Sequence, residues 1–516
     1  RQLSPGDWNG LLSRLADDIL ALSQLQGLLS GRNQPDAPTQ QAEAPTAAPT
    51  EADDPAAVAF ALGNARQEQG DPAGAIEAWR HALALRPDFP EALNNLGLTL
   101  HEQGERGGAI AAYREALHRR PAFAEARFNL GNALLDAPPR PGDDGLEEAI
   151  ACYRQALALR PNLAAAQLNL GSALQERGEL NAARACFEAA IRLRPDDADA
   201  HGNLALLDLL TGDYARGWAG SEWRFRGGHD LGLLVARPAG ERWREGPLGA
   251  GSALLLVAEQ GLGDTIQFMR YVPLLRARGV RVHFCAPTAL HGLIRATGID
   301  PEPLTPEQGQ ALADVPWLPL LSLPGLLGVC PQQALVPAPY LAIPDALVQP
   351  WRERLGAEGR PVLALHWQGN PEHERRHARG RSLPLESFAV LAERSEARFV
   401  ALQKGFGAEQ LASCSFRDRF VGAQAEVDGC WDFLDTAAIL LATDRLISAD
   451  SAVVHLAGAL GHPTSLLLQA IPDWRWGLEG ESSFWYSPNL RLLRQRRRGD
   501  WGEVLERLAA ELERGS

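Results

Sequence analysis

Hydrophobic positions in the first half of the chain follow the period of paired amphipathic helices. The dipeptide Leu-Gly begins at positions 62, 96, 130 and 170, and prolines stand at 87, 121, 161 and 195. Both series have spacings of 34 and 40 residues, and the longer spacing includes the turn at 137–145. A glycine lets two helices approach closely, and a proline ends a helix. The pattern therefore predicts a helical repeat array over residues 56–231.

Two segments precede the repeats. Residues 1–30 carry leucines and one isoleucine at helical spacing, which predicts one N-terminal helix. Residues 31–55 contain five prolines and no Val, Ile, Leu, Met, Phe, Trp or Tyr. Such a segment cannot bury enough apolar surface to offset its ordering entropy, so we expect a disordered linker.

After an irregular connector at 232–249, short apolar runs alternate with helical stretches. The runs predict buried parallel strands, and they lie at 253–258, 280–285, 361–365, 398–402, 445–448 and 464–468. Predicted helices lie between them, at 265–277, 385–394, 433–443 and 451–460. This order predicts a doubly wound α/β fold. A proline-rich stretch at 337–350 divides it into Rossmann-like halves at 250–345 and 346–516.

Composition narrows the function classes. The chain has 516 residues, with 50 basic and 64 acidic side chains and a formal charge of −14. A chain of this charge is a poor general nucleic-acid binder, because such binding needs clustered positive charge. We expect no membrane insertion, since no run approaches the ~20 apolar residues that span a bilayer. Six cysteines without a Cys-x-x-Cys pair fit a reducing cytoplasm, and we predict a cytoplasmic protein.

The first candidate site follows the first strand of the α/β region. It begins at Glu259 and continues as Gln-Gly-Leu-Gly-Asp-Thr-Ile-Gln-Phe to residue 268. Gly263 allows a ligand to approach the backbone, and Asp264 is placed to face a cleft between the halves. The motif lacks the third glycine of a dinucleotide fingerprint and the Gly-Lys-Ser/Thr of a P-loop. The alternative is that Asp264 only caps the helix.

The second candidate site is the strand-to-helix junction at 446–463. A predicted strand ends at Asp450, Ser451 is expected to cap the next helix, and His455 lies one turn further on. Free amides at a helix start form an anion site at the carboxyl edge of a sheet. A lone histidine such as His455 is more often structural.

Basic residues make up a third candidate site. The run His-Trp-Gln-Gly-Asn-Pro at 366–371 leads to arginines at 375, 376, 379 and 381. Guanidinium groups after a strand suit diphosphate recognition, although a solvated loop explains most of them equally well. Lys404 is the single lysine beside 49 arginines, follows a predicted strand and precedes Gly405. We predict that its compact ammonium contacts the diphosphate of a bound ligand. The alternative is that Lys404 is a surface lysine without a selected role.

The repeats resemble tetratricopeptide repeats, and residues 250–516 resemble GT-B glycosyltransferases of the heptosyltransferase-like family that is fused to such repeats in bacteria. The motifs that carry the second resemblance lie at 261–268, 367–371, 381–385, 448–461 and 472–476. The resemblance implies a metal-independent, inverting enzyme without a cofactor. Nucleotide-sugar would be held mainly by the second half and the acceptor by the first. The layout is also similar to flagellin glycosyltransferases.

The resemblance also implies roles for individual residues. Asp264 matches the proposed general base of the heptosyltransferases, and Arg381 matches a basic contact to the diphosphate. The remaining donor-binding candidates are Gly263, Trp367, Asn370, Lys404, Asp450, Ser451 and His455. The only Asp-x-Asp, at 197–199, falls in a repeat turn, which agrees with the absence of a metal site.

The repeats suggest a protein or peptide acceptor. One asparagine precedes the equivalent of the Leu-Gly pair in successive repeats, at Asn95, Asn129, Asn169 and Asn203. An amide offers both a donor and an acceptor to a peptide backbone, but it can equally serve packing between repeats. We expect a protein glycosyltransferase. The alternatives are a transferase acting on cell-surface polysaccharide or lipopolysaccharide and an inactive repeat scaffold.

Two other motifs resemble functional sites, but the surrounding sequence argues against those functions. The sequence His-Glu-Arg-Arg-His at 373–377 spells a zinc-protease motif, but glycines and a proline flank it and it contains no apolar residue for packing. The basic run at 491–498 lacks interleaved aromatic residues, so we expect a solvated surface near the C-terminal helix rather than a nucleic-acid site.

Overall fold

A computed structural model describes residues 54–136, 145–226, 234–243, 248–259, 261–356, 358–371, 374, 380–486 and 488–515. The expected N-terminal helix at 1–30, nearly all of the linker and the histidines of the 373–377 motif lie outside these ranges. Within them, no helix has both the length and the apolarity needed to cross a bilayer. The chain divides into two compact units between Ala173 and Leu174.

Paired antiparallel helices make up the repeat region. They are α1 Pro55–Glu68, α2 Pro72–Leu85, α3 Pro90–Glu102, α4 Arg106–Arg119, α5 Ala124–Asp136, α6 Leu146–Leu159, α7 Ala164–Arg177, α8 Leu180–Leu193, α9 Ala198–Leu210 and α10 Tyr214–Ser221. The boundary between the compact units falls inside α7. A short 3₁₀ helix, Glu222–Phe225, follows α10.

Three of the four Leu-Gly glycines face an aromatic ring of the partner helix. The pairs are Gly63 with Trp79, Gly97 with Tyr113, and Gly131 with Tyr153. A Cβ at Gly97 would lie only 2.7 Å from a ring carbon of Tyr113. The ring therefore occupies the space that any larger side chain would need. This packing accounts for the repeated glycine.

The α/β part of the second unit contains two parallel sheets. Its strands are β1 Ala253–Val257, β2 Arg281–Cys285, β3 Trp317–Pro319, β4 Val362–His366, β5 Arg398–Ala401, β6 Arg445–Ala449, β7 Thr464–Leu468 and β8 Leu490–Arg494. The first sheet has the order β2-β1-β3, and the second has the order β5-β4-β6-β7-β8. All five residues of β4 and of β7 are buried, as expected for parallel strands covered on both faces.

Helices follow most of the strands. They are α11 Leu262–Phe268, α12 Tyr271–Ala277, α13 His291–Ala296, α14 Pro306–Ala311, α15 Leu323–Leu327, α16 Asp345–Leu355, α17 Ala389–Arg394, α18 Gln424–Asp428, α19 Phe433–Leu441, α20 Ala452–Leu460 and α21 Trp501–Gly515. The predicted α/β class with parallel strands is confirmed.

Three details differ from the sequence prediction. The single helix expected at 265–277 is two helices, because Pro273 has no amide hydrogen to continue the helical ladder. Two strands, β3 and β8, were not predicted. Strand β8 overlaps the basic run at 491–498, which is therefore only partly a solvated surface.

Candidate functional site

The candidate site begins where β1 ends and α11 starts. Gly261 is the N-cap of α11 and has extended backbone angles. Gly263 is buried against α20, and a Cβ at this position would lie 2.8 Å from Cδ2 of His455 and 3.2 Å from Cα of Ala452. Helix packing therefore supplies a structural reason for this glycine. The contact also brings the first turns of α11 and α20 together.

Asp264 forms an ion pair with an arginine 211 positions away in the sequence. Its Oδ1 accepts a hydrogen bond from Nη2 of Arg475, which lies in the loop after β7. Nε of Arg475 donates to Oε1 of Gln267 at 2.8 Å, and Nη1 donates to Oδ1 of Asp473 at 2.8 Å. The loops after β1 and β7, which belong to different sheets, thus meet at one guanidinium group.

The loop that carries Arg475 is held from β8. Nη1 of Arg494 donates to the carbonyl of Gly477 at 2.9 Å, and its Nη2 donates to that of Trp476 at 2.7 Å. The guanidinium of Arg475 also lies over the ring of Trp474, 4.5 Å from its centroid. Burial lowers the pKa of Arg475, but attraction to Asp264 and Asp473 outweighs it, so this pKa is raised overall.

Asp450 and Ser451 lie at the end of β6, where the sequence predicts a ligand edge. Burial, followed by repulsion from Asp473, raises the pKa of Asp450 to about 6. The positive charges of Arg381 and Arg475 partly oppose that increase. Ser451 occupies the N-cap position of α20, but its side chain makes no capping hydrogen bond. Its Oγ instead lies 3.3 Å from Oγ of Ser448, so the expected capping role is wrong.

His455 is buried where α20 packs against α11. Its Nδ1 lies 2.8 Å from the hydroxyl oxygen of Tyr486, and its ring stacks on Trp476. Burial, then the positive charges of Arg475 and Arg270, hold the pKa of His455 well below its ordinary value. The imidazole is therefore neutral near pH 7 and contributes a dipole to the site rather than a charge.

Arg381 lies against the backbone that follows β4. A Cβ at Gly369 would stand 2.5 Å from Nη2 of Arg381, so the guanidinium packs flat on this glycine. Burial, followed by the positive charge of Arg381, lowers the pKa of His366 to about 4. Because Arg381 also lowers the pKa of Asp450, its charge acts at the ends of both β4 and β6.

Trp367 and Asn370, the other two residues of the third candidate site, differ in how far their side chains are exposed. The indole of Trp367 is completely buried and donates to the carbonyl of Gly407 at 3.2 Å. Its side chain therefore belongs to the core of the second sheet. Asn370 is exposed, and its carbonyl accepts from the amide of Glu374 at 3.0 Å.

Lys404 follows β5 and contacts a different segment from the residues around Asp264. Its Nζ donates to the carbonyl of Val427 and lies 5.9 Å from the ring centroid of Trp431. Burial lowers the pKa of Lys404, and the negative charge of Asp428 opposes this. Phe406 and Trp431 are both exposed, so the lysine is bordered by accessible aromatic surface.

Three of the repeat asparagines form hydrogen bonds between helices of neighbouring repeats. Nδ2 of Asn95 donates to Asn64 at 3.0 Å, that of Asn129 to Asn94 at 3.0 Å, and that of Asn169 to Asn132 at 2.8 Å. All three, and Asn203 in α9, are half-buried. These bonds support the packing interpretation while leaving each amide partly accessible.

Two buried arginines at the site could not be predicted from the sequence, although they lie beside the motif at 261–268 and within the motif at 472–476. Arg475 belongs to the second motif, but no sequence signal pairs it with Asp264. Arg270 is buried and donates to the carbonyls of Gln267, Val336 and Trp485. No local pattern distinguishes such a residue from a surface arginine.

A buried network that includes Glu259 was also missed. Glu259 is fully buried, and its Oε1 accepts from Nη2 of Arg224 at 2.7 Å and from the amide of Leu321 at 3.2 Å. Nη2 of Arg224 also donates to Oγ of Ser322 at 3.0 Å. Burial raises the pKa of Glu259, and the charge of Arg224 opposes this. The 3₁₀ helix after the repeats is thereby tied to the end of β1.

No group of three or more potential metal ligands occurs in the portion of the chain that the structure describes. Much of the basic run is engaged within the protein. Arg491 pairs with Glu481 and Glu511, Arg497 pairs with Asp500, and Arg494 donates to carbonyls.

Comparisons with solved structures find tetratricopeptide-repeat proteins. The crystal structure of MamA is 24% identical and covers 33% of this chain and 95% of its own, with a TM-score of 0.28. A thermophilic TPR protein of Thermus thermophilus is 24% identical and covers 34% and 92%, with a TM-score of 0.29. YrrB, described as a TPR protein with an unusual peptide-binding site, is 17% identical and covers 34% and 89%, with a TM-score of 0.30.

Among characterised sequences, the protein is similar to Protein FlbA of Caulobacter vibrioides. The two are 27% identical over 340 residues, which is 60% of this chain and 54% of FlbA. The chain therefore spans about half the length of this relative.

The family model described as TPR repeat matches residues 63–104, 99–136, 145–177 and 173–212. These ranges lie within the helical region of the structure and within the repeat array predicted from the Leu-Gly spacing. The helical region of this chain is built of tetratricopeptide repeats.

Proposed function

We propose that this protein transfers a sugar from a nucleotide-sugar donor to a protein acceptor that its repeats recruit, using a GT-B arrangement of two Rossmann-like halves. The observation that carries the proposal is the ion pair between Asp264 and Arg475. It joins loops at the carboxyl ends of strands from two different parallel sheets. Open α/β sheets bind ligands at these edges.

The reaction requires one base and several positive groups. Asp264 takes the proton of an acceptor hydroxyl, and the hydroxyl oxygen bonds to the anomeric carbon of the sugar. The bond from that carbon to the diphosphate oxygen breaks, and a nucleoside diphosphate leaves. A single displacement of this kind inverts the anomeric centre. A positioned carboxylate suits the first task because proton removal accompanies bond formation.

The leaving diphosphate needs compensation for its developing charge. Arg381 is half-buried at the ends of β4 and β6, and the amides of the first turn of α20 lie at the end of β6. We assign both to the diphosphate, together with Lys404 beyond β5. Fixed donors in a partly buried site stabilise developing charge without reorganising at the moment of reaction.

The acceptor is proposed to be a polypeptide because TPR repeats are a protein-interaction scaffold. Asn95, Asn129 and Asn169 are half-buried and would offer their remaining hydrogen-bonding capacity to a peptide backbone. Their bonds to neighbouring repeats favour a second possibility, in which these residues serve packing only. The alternatives for the whole chain are a transferase that acts on cell-surface polysaccharide or lipopolysaccharide and a catalytically inactive repeat scaffold.

The test is release of nucleoside diphosphate from a panel of nucleotide sugars, with and without a lysate of protein acceptors. Intact-mass analysis of the acceptors then reports sugar addition. Replacing Asn95, Asn129, Asn169 and Asn203 with Ala is expected to weaken protein modification while leaving donor hydrolysis intact. Equal loss of both activities would favour the packing role. Absence of turnover with every donor would support the inactive scaffold.

A further inference from the structure

Arg475 contacts both halves of the candidate site through one side chain. Its three contacting nitrogens reach Asp264 and Gln267 on α11 and Asp473 in its own loop. Only 11% of the Arg475 side chain is exposed, and that of Asp264 is 16% exposed. A pair this sheltered is weakly screened by solvent and salt.

The position of the guanidinium is fixed by several independent contacts. Trp474 covers one face of it, and Arg494 holds the carbonyls of the two residues that follow Arg475. The amide of Arg475 also donates to Oδ1 of Asp473 at 3.0 Å. Such support keeps a side chain ordered before any ligand binds.

Asp264 stands in an acidic environment. The carboxylates that act on this region are Glu259 at the end of β1, Asp473 in the loop after β7 and Asp450 at the end of β6. The groups that oppose them are Arg475 and, at the end of β6, Arg381. His455, from α20, is neutral. Within this group of carboxylates, Arg475 is a cation in direct contact with Asp264.

We propose that Arg475 is the positioning residue for Asp264, holding its carboxylate oriented toward the acceptor hydroxyl. This assignment rests on the proposed function. Among the described residues, hydrogen bonds to Asp264 involve only Oδ1, so the guanidinium fixes one oxygen and the second serves the chemistry. The proton of the acceptor hydroxyl passes to Asp264 as the hydroxyl oxygen bonds to the anomeric carbon.

The test compares Arg475→Gln and Arg475→Lys with Arg496→Gln, in the full chain with the best donor of the panel. Arg496 is a matched control because its side chain is 72% exposed, although it pairs with Glu503. Arg475→Gln is expected to lower kcat by about 10²-fold with little change in the KM for donor. A loss in kcat with an unchanged KM for donor indicates a misplaced base rather than a damaged donor site.

Arg475→Lys separates charge from geometry. A lysine retains the positive charge but not the planar fork that contacts Asp264, Gln267 and Asp473, so kcat is expected to stay reduced while the KM for donor is unchanged. A merely structural role would lower the amount of folded protein while the folded fraction kept the wild-type kcat, and that result would overturn the assignment. Circular dichroism of each variant identifies loss of fold.

A double variant tests whether Arg475 acts through Asp264 even if one substitution perturbs the loop. When Arg475 acts through Asp264, adding Arg475→Gln to Asp264→Asn should cost far less than it does in the wild type. Additive losses would contradict the assignment. If the wild type releases nucleoside diphosphate but Arg475→Gln is as active, only this inference fails. If the wild type releases none, the proposed function fails, and the assignment falls with it.

Discussion

The backbone of Gly263 on α11 lies directly against the imidazole of His455 on α20. Because the ring is buried and bonded to Tyr486, it has little room to move away from a larger residue. The contact lies one residue before Asp264 and four residues after Ser451. Close packing of these two helices therefore determines how the loops after β1 and β6 face each other.

Gly263→Ala is expected to destabilise the protein by about 1–3 kcal/mol, the usual cost of overpacking a buried contact. Urea unfolding followed by circular dichroism measures it. The matched control is Gly202→Ala in α9, where an added Cβ meets nothing within 4 Å. That change should be neutral or stabilising, since alanine favours a helix. A Gly263→Ala protein as stable as Gly202→Ala would contradict the packing.

The raised pKa of Asp450 predicts a specific pH dependence of the free energy of unfolding. Its pKa is about 6 in the folded protein, above its ordinary value of 3.8. Protonated Asp450 therefore contributes its full stabilisation of the folded protein below its ordinary pKa. This stabilisation is lost as pH rises through about 6. Asp450→Asn, which stays neutral, should exceed the wild type in stability at pH 8 by an amount on the order of 1–3 kcal/mol.

The advantage of Asp450→Asn should disappear near pH 4, where the wild-type carboxyl is also neutral. Denaturant unfolding at both pH values provides the measurement. Asp345→Asn is the control, because Asp345 is 74% exposed and pairs only with the partly exposed Arg352. A constant difference between Asp450→Asn and the wild type from pH 4 to pH 8 would show that Asp450 does not titrate as described.

Arg224 is expected to stabilise the junction between the repeats and the first sheet. Arg224→Ala leaves the buried carboxylate of Glu259 without its charged partner, which typically costs about 3–5 kcal/mol. The neighbouring Arg226 is exposed, so Arg226→Ala serves as the control in thermal unfolding. Combining Arg224→Met with Glu259→Leu should recover most of the loss, because no buried charge remains. No recovery would mean that the loss does not come from the unpaired carboxylate.

The periodic parts of this fold can be predicted from the sequence. The repeat follows from the Leu-Gly and Pro spacings, since the first three helix pairs make the same glycine–aromatic contact. Six strands are found close to their predicted positions, because each is a short apolar run buried in a sheet. Strand β8 was missed because its arginines suggest a solvated surface. Pairing with β7 and the carbonyl acceptors for Arg494 place it inside instead.

The candidate site was predictable only in part. Gly263, Asp264, Asp450 and His455 belong to strand-to-helix junctions, whose place at a sheet edge follows from the order of elements. The pairing of Asp264 with Arg475 depends on how two sheets face each other, which no local pattern encodes. Trp367 illustrates the opposite case. A motif tryptophan suggests a ligand contact, yet its ring packs wholly within the core.

The central claim is that Asp264 is the base of a glycosyl transfer reaction. The most direct measurement is the rate of nucleoside diphosphate release by Asp264→Asn, compared with the wild type at saturating donor, together with the donor affinity of both proteins. We predict that turnover falls by about 10²-fold or more while donor affinity is largely kept, because the amide cannot accept the proton. Turnover of Asp264→Asn at the wild-type rate would contradict the claim.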